Sequence, residues 1–430
     1  MFITGRFFGL VLLGAVPVIL SPSHATVLWW MLVALILLVA DIVAAGKPLA
    51  VELTRLPIAP IRLGEQTTST LLVTNPGPRR FRGALKDSWQ PSAGAGSPVH
   101  QLDVPAGERR AVVTTLHPTR RGDRLAIRVT VRRPGLLGLG GRQRSVAVGG
   151  GVRALPPFGS RKHLPSRLAR LRQLDGRSAV RIRGQGTEFD SLRDYVEGDD
   201  VRSIDWRATA RRRSTVVRTW QPERDRHIVM VLDTSRTSAA RVGDAPRLDA
   251  SMDAALLLAA LASHAGDRVD LIAGDRRVRQ RVINASRSTL LNDLVNGMAP
   301  LEPALLEADW PLLSAEVTKI SRHRALLVLL TALEPAAIEE SLLAPLSVLA
   351  QRYRVVIASV ADPAITAMVD QREDLRQVYD AAAAVRTGLL RERTVAAVGR
   401  LGVDVVAADP ESLPAALADH YLMLKSRGLL

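Results

Sequence analysis

The feature that most constrains this chain is an unbroken apolar run, Ala25 to Ala45, reading ATVLWWMLVALILLVADIVAA. About twenty such residues in a helix match the hydrocarbon thickness of a bilayer, and a helix satisfies its own backbone polar groups there. A shorter run, FFGLVLLGAVPVIL from Phe7 to Leu20, precedes it and contains Pro17. Alone it could pass for the apolar part of a secretion signal. No clear small-residue cleavage site follows, and the longer run begins within a few residues. The expectation is a transmembrane hairpin over residues 1–46, turning at Ser21-Pro22-Ser23-His24. Asp41 falls near the helix end, where a carboxylate reaches the interface, and Trp29 and Trp30 suit the opposite interface. Arg6 precedes the hairpin, Lys47 and Arg55 follow it, and the turn carries no lysine or arginine. The positive-inside rule then puts both ends, and the bulk of the chain, on the cytoplasmic side of the inner (plasma) membrane.

Residues 47–150 change to short alternating segments such as TSTLLVTN, RRAVVTTLHP and RLAIRVTVRRP. Asn75-Pro76-Gly77, Pro105-Ala106-Gly107 and Arg121-Gly122-Asp123 separate them. Period-two alternation between turn residues predicts an antiparallel β-sandwich-like domain. Residues 151–226 open with an arginine-rich, proline-interrupted stretch that has room for one basic helix and reads as a solvated connector. From His227 onward, β-rich runs (HIVMVLDTS, RVDLIAG, RALLVLLTAL, YRVVIASV, VDVVAAD) alternate with helical ones (RLDASMDAALLLAALASHAG, TLLNDLVNGM, AAIEESLLAPLSVLAQR, the long stretch after Pro363, and LPAALADHYLMLK). The fold class for 227–430 is therefore α/β, a doubly wound sheet with helices on both faces.

Composition excludes several functions. The chain has 430 residues, no cysteine and a formal net charge of +16, so disulfides, thiolate metal sites and a cysteine nucleophile are absent. The positive charge is nearly all arginine, alanine is equally abundant and aromatics are 4%. That pattern follows from GC-rich coding and supplies few stacking platforms, so nucleic acid is not the expected partner. No phosphate-binding GxxxxGK[ST] or post-strand GxGxxG occurs, the histidines lack zinc-like spacing, and Ser235 lacks a GxSxG elbow. No enzymatic activity is expected.

Ligands of doubly wound sheets sit outside the carboxyl ends of the strands. There the first strand ends in Asp233-Thr234-Ser235-Arg236-Thr237. A carboxylate and hydroxyls on alternate residues can converge on a hard divalent cation such as Mg²⁺, leaving a coordination position for a partner's carboxylate. The plain structural alternative is that they cap the following turn. The pattern resembles the metal-ion-dependent adhesion motif, Asp-x-Ser-x-Ser, of von Willebrand factor A domains, with Thr237 in the last place. That resemblance implies a threonine from a later loop, with Ser286, Ser288 or Thr289 available. It also implies an aspartate after the fourth strand, where this chain has Ala332, with Glu334 two residues on.

A second constellation lies upstream: Glu188, Arg193, Asp194, Tyr195, Gly198, Asp199, Arg202, Asp205, Trp206 and Arg211. Paired carboxylates such as Asp199 and Asp200 are also what glycosidase or nuclease chemistry uses. Dense arginines hold such carboxyls ionised, which suits salt bridges better than acid catalysis. Together with Arg121-Gly122, the GLLGL run from Gly135 and the paired apolar helices, this segment resembles the family called domain of unknown function 58. The resemblance reaches over nearly the whole chain. It implies a von Willebrand factor A-like, membrane-anchored adaptor docking a client or a MoxR-type AAA+ ATPase. A hydrolase using the 188–206 carboxylates, or a metal-free scaffold, are the alternatives.

Overall fold

The computed structural model describes residues 1–47, 51–97, 99–181, 188–197, 199–212, 214–221 and 226–430. They form two compact units, Met1–Leu155 and Pro156–Leu430.

In the first unit, His24–Ala44 is a single helix, with Ser23 Oγ accepting the Thr26 N–H at 3.2 Å as its cap. Among the described residues it is the one helix long and apolar enough to cross a membrane. Its companion over Gly5–Leu20 is shorter, about 24 Å at 1.5 Å per residue against a hydrocarbon core of about 30 Å. The Trp30 ring occupies the space where a Cβ on Gly14 would sit, and its Nε1 donates to the Leu10 carbonyl at 3.3 Å. Trp30 thus packs the two helices together, while Trp29 is exposed. Asp41 departs from the interfacial expectation. Its carboxylate is buried and accepts the N–H groups of Leu137 (2.7 Å), Leu139 (2.8 Å) and Gly140 (3.1 Å). The GLLGL run is therefore a loop whose amides cradle a helix-borne anion, and a Cβ on Gly135 would strike that carboxylate.

The alternating segments form Thr67–Thr74, Arg109–Leu116 and Gly122–Pro134. Thr67–Thr74 pairs with both Glu52–Arg55 and Arg109–Leu116 in a three-stranded antiparallel sheet, and Gly122–Pro134 joins a seven-stranded sheet with Phe81–Trp89 and Gly140–Val146. Leu71, Val73 and Val112 of the first share one core with Phe81, Leu85, Val104, Val129 and Val131 of the second. An ion pair is buried in this unit: Arg55 donates to both Asp87 oxygens (2.9 and 2.7 Å) and stacks on Trp89, whose Nε1 also donates to Asp87.

The expected solvated connector is packed where it is described, its opening strand in the first unit and its helix in the second. Gly151–Leu155 belongs to the seven-stranded sheet, and Leu164–Arg181 is a helix with Leu171 buried. Ser160 Oγ donates to Asp253 at 2.7 Å and Arg167 pairs with Asp419 at 2.8 Å. These side-chain partners lie far along the sequence, which a local reading of an arginine-rich stretch does not supply.

Beyond it run strand β1 (His227–Asp233), helix α1 (Arg247–His264), β2 (Arg268–Gly274), β3 (Val278–Val282), α2 (Leu290–Met298) and α3 (Trp310–Ile320). Then follow β4 (Leu326–Leu330), α4 (Leu343–Arg352), β5 (Arg354–Val360), α5 (Pro363–Met368), α6 (Leu375–Arg400), β6 (Asp404–Ala408) and α7 (Leu413–Ser426). The six strands make one sheet in the order β3-β2-β1-β4-β5-β6, parallel except for β3. Val229 and Val231 of β1 share a cluster with Trp310, Leu313 and Val317 of α3 and Leu346 of α4. Residues of opposite parity, Ile228, Met230 and Leu232, are equally buried on the other face. Two elements escaped the sequence reading. β3 is a short, charged edge strand, and α3 is announced only by Asp309, whose carboxylate accepts the Leu312 N–H, with Pro311 in the first turn.

Candidate functional site

β1 is apolar and buried up to its last residue, so it delivers Asp233 to the carboxyl edge of the sheet at 1% exposure. β4 lies beside it and ends at Leu330, bringing Thr331 to the same edge. The strand order runs outward in both directions from this central pair. Their loops diverge there and open the crevice in which doubly wound sheets bind ligands.

Asp233 Oδ1 accepts the Ser235 N–H at 2.8 Å, and Oδ2 accepts the hydroxyls of Thr237 at 2.9 Å and Thr331 at 2.7 Å. The Ser235 and Thr237 hydroxyls lie 3.1 Å apart, and all four residues are buried. The three residues expected from the sequence therefore meet, and Thr331 joins them. Thr331 carries no local signal of its own; it directly precedes Ala332, where the resemblance implies a carboxylate. The loop is fixed from outside by Thr234, which donates to Asp275 at 3.0 Å, and by the Arg236–Glu307 pair at 2.7 Å.

The cluster borders a niche of ≈ 10 Å³, also lined by Glu307, Trp310, Ala332 and Ser341. That is room for about one water or one bare cation. The oxygens are of the hard type Mg²⁺ accepts, but Asp233 is the one carboxylate among the four clustered residues. Among the described residues no group of three or more His, Asp or Glu is placed to hold a metal. Ala332 stands in the lining without a ligand, and Glu334 pairs with Arg247 at 2.8 Å instead of turning in. Ser286, Ser288 and Thr289 are also elsewhere. Ser286 Oγ lies 3.0 Å from both the other hydroxyls at the start of α2, and none of the three lines the niche. Sequence order placed them in a suitable loop, but the loop that covers Asp233 is the one carrying Glu307 and Ala308.

The upstream constellation forms a separate small motif. Glu188–Asp194 pairs antiparallel with Val216–Gln221, and the short helix Trp206–Arg212 lies between them in sequence. Asp199 accepts from Arg193 at 2.5 Å and from the Val196 N–H at 3.0 Å. Asp205 caps the helix through the N–H groups of Arg207 and Ala208, both at 3.0 Å, and pairs with Arg218 at 2.7 Å. Asp194 accepts the Ser214 hydroxyl, the Tyr195 N–H donates to the Thr215 carbonyl, and Asp200 accepts the Arg202 N–H. The Ala208 N–H and Arg218 hold the Asp205 carboxyl below its usual range, and Asp199 raises Arg193. These carboxylates serve as capping and pairing groups. Arg202, Arg211 and Trp206 face solvent, Trp206 at 71% exposure. Gly198 and the Glu188 side chain lie outside the described residues.

A family model answers to this segment. The model described as a protein of unknown function, DUF58, matches residues 191–384. The match starts inside the constellation and runs through most of the sheet. It leaves out Glu188, the apolar helices and the first unit, so the resemblance is narrower than the sequence reading had it. The uncharacterized proteins Rv1480 of Mycobacterium tuberculosis and Mb1516 of Mycobacterium bovis are each 28% identical over 187 residues, 42% of this chain. The chain spans 57% of the length of these relatives. Among solved structures, a conserved hypothetical protein BatB from Bacteroides thetaiotaomicron matches at a TM-score of 0.33 and 12% identity, covering 47% of this chain and 99% of that one. A PapD-like domain of human CEP192 matches at 0.18 and 15% identity, over 25% of this chain and 88% of that one.

Proposed function

We propose that this chain is a membrane-anchored docking protein whose six-stranded sheet is a von Willebrand factor A-like domain. The observation that carries this reading is the ring of Asp233, Ser235, Thr237 and Thr331 at the divergence of β1 and β4. The strand order and the antiparallel β3 support it, since ligands of such sheets gather at this edge. In this reading His24–Ala44 spans the inner membrane with Gly5–Leu20 as its hairpin companion, and the flanking charges favour the cytoplasm for the chain beyond residue 46. The partner is a client protein or a MoxR-type AAA+ ATPase, bound without chemistry. Asp233, Ser235, Thr237 and Thr331 are the residues that would hold Mg²⁺, whose role is to accept a partner's carboxylate. With a single carboxylate the ion is held weakly. A metal-free docking surface is the second reading, favoured by Ala332 and by a carboxylate already saturated with donors. Val196, Val201 and Trp206 expose apolar surface beside the ion-paired motif and are a second docking patch in this reading.

The test is capture from native membranes with tagged full-length protein, in Mg²⁺ and in chelator, beside Asp233→Ala and Trp206→Ala. A discrete ATPase or client lost in chelator and in Asp233→Ala supports the metal-bridged form. Retention in chelator with loss in Trp206→Ala supports metal-free docking. A partner bound equally by both variants under all conditions refutes the assignment of the docking face.

A further inference from the structure

A cavity at the carboxyl edge of the sheet borders Ala332, which also lines the Asp233 niche. It measures ≈ 610 Å³ and is lined from the ends of β4 and β5, from α5 and from α6. That size is in the range of small-molecule sites, roughly 300–1,000 Å³. Its walls are apolar at Ile365, Val369, Val385 and Leu389. On α6, Ala384, Gly388 and Arg391 fall at helical spacing along one face, so two small residues leave space in front of an arginine. A Cβ on Gly388 would meet nothing within 4 Å.

The polar groups of this cavity are unevenly satisfied. Arg247 pairs with Glu334, yet its Nε is buried with no hydrogen-bond partner. Asp362 caps α5 by accepting the Ala364 N–H. Arg391 has no carboxylate within ion-pair distance among the described residues. Its nearest printed acceptor is Ser359 Oγ at 3.5 Å, an oxygen already accepting the Leu333 N–H at 3.1 Å. A half-buried guanidinium beside another guanidinium, without an anion, is an unfavourable arrangement unless something supplies the charge. Burial, and secondarily Arg247, pull the Arg391 pKa below its usual value, as expected of an uncompensated cation.

We propose that this cavity binds an organic acid, with a carboxylate head on the Arg391 fork beside Arg247 Nε and an apolar body against Ile365, Val369, Val385 and Leu389. The guanidinium fork matches a carboxylate in two parallel hydrogen bonds. A doubly charged head is disfavoured, because Glu334, Asp362 and Glu392 also border the cavity and outnumber its two arginines, Arg391 being the one without a carboxylate within ion-pair distance among the described residues. The site is independent of partner docking and of any metal at Asp233.

Saturation-transfer NMR on the full-length protein in nanodiscs, with empty nanodiscs as blank, tests this with phenylacetate, phenylacetamide and phenyl phosphate. Phenylacetate is expected to bind in the millimolar range for so small a ligand, and the amide at least tenfold more weakly. Arg391→Gln should weaken phenylacetate at least tenfold while leaving the unliganded thermal midpoint equal or higher, since it removes an unpaired charge. Gly388→Leu should block binding by filling the cavity with the charge intact. Equal binding of acid and amide, tighter binding of phenyl phosphate, binding unchanged in Arg391→Gln or in Gly388→Leu, or no phenylacetate signal at about 10 mM each overturns the proposal.

Discussion

Asparagine and alanine at position 233 separate a structural role from a metal-holding one. Asp233→Ala removes the acceptor of three donors, one of them the Ser235 N–H, which cannot turn elsewhere. A buried donor left unsatisfied costs about 1–3 kcal/mol. Thr237 keeps Ser235 as a hydroxyl partner, while Thr331 loses the acceptor that its hydroxyl bonds. The expected loss is therefore about 2–4 kcal/mol. Asp233→Asn keeps an oxygen for the Ser235 N–H, and the two threonine hydroxyls can reverse to accept from the amide. Among the described residues no cation lies within ion-pair distance of Asp233, so losing the charge also removes an uncompensated burial. Asp233→Asn without metal should therefore lie within about 1 kcal/mol of wild type. Mg²⁺ changes this comparison. If wild type holds the ion, metal at ten times Kd adds about 1.4 kcal/mol, or roughly 3–6 °C in Tm for a unit of this size. Asp233→Asn should show no such rise. Scanning calorimetry in chelator and in stepped Mg²⁺ measures both, with hydrogen exchange over 227–242 assigning the transition. Wild-type stability in Asp233→Ala would refute the packing argument, and a wild-type midpoint indifferent to Mg²⁺ would refute the metal.

Other parts of the molecule give sharper stability effects. Arg55 and Asp87 are 2% and 0% exposed, so Asp87→Ala should cost about 3–5 kcal/mol. Arg55→Met with Asp87→Leu should cost less than the single change, both read by urea unfolding of the first unit. Asp41→Ala frees three amides of the 137–140 loop, and limited proteolysis in nanodiscs should cut there faster than in wild type. Asp253 has its pKa raised by burial, with Ser160 donating to it. A raised carboxyl pKa means the native state binds the proton more readily, so stability is lost as pH rises through the native value. Asp253→Asn should thus equal or exceed wild-type Tm at pH 7 and lose that advantage below about pH 4, measured by thermal melts across that range.

What was legible in the sequence follows from how local the cause is. β1, β2, β4 and β5 appear as apolar runs because a central parallel strand is buried on both faces, and α1 because LLLAALA continues without a breaker. Asp233, Ser235 and Thr237 could be placed together because a strand tip fixes alternate residues within one turn. Thr331 and Arg391 could not. Thr331 reaches Asp233 from 98 residues away, and neither spacing nor composition marks a lone threonine or one arginine among many. The connector was misread for the same reason: Ser160, Arg167 and Leu171 look like a solvated basic stretch until Asp253 and Asp419 arrive from later helices. In AAIEESLLAPLSVLAQR the helical pattern was right, but Pro345 lacks the N–H that residue 341 would receive. The chain widens to a π-turn over Ile338–Leu342 before α4.

The carboxyl edge of the sheet holds two charges of opposite sign that the fold leaves unmatched. Asp233 is buried among neutral donors, and Arg391 is half-buried beside a second arginine. Ala332 lines both the niche and the larger cavity. Several carboxylates near the core of the second unit are paired: Asp270 with His227 and Arg268, Asp275 with Arg279, Asp267 with Lys425. Folding alone gains nothing from an exception at this edge, since an unpaired buried charge opposes stability. Asp233 and Arg391 depart from that pairing at the carboxyl edge, the edge at which doubly wound sheets bind their ligands.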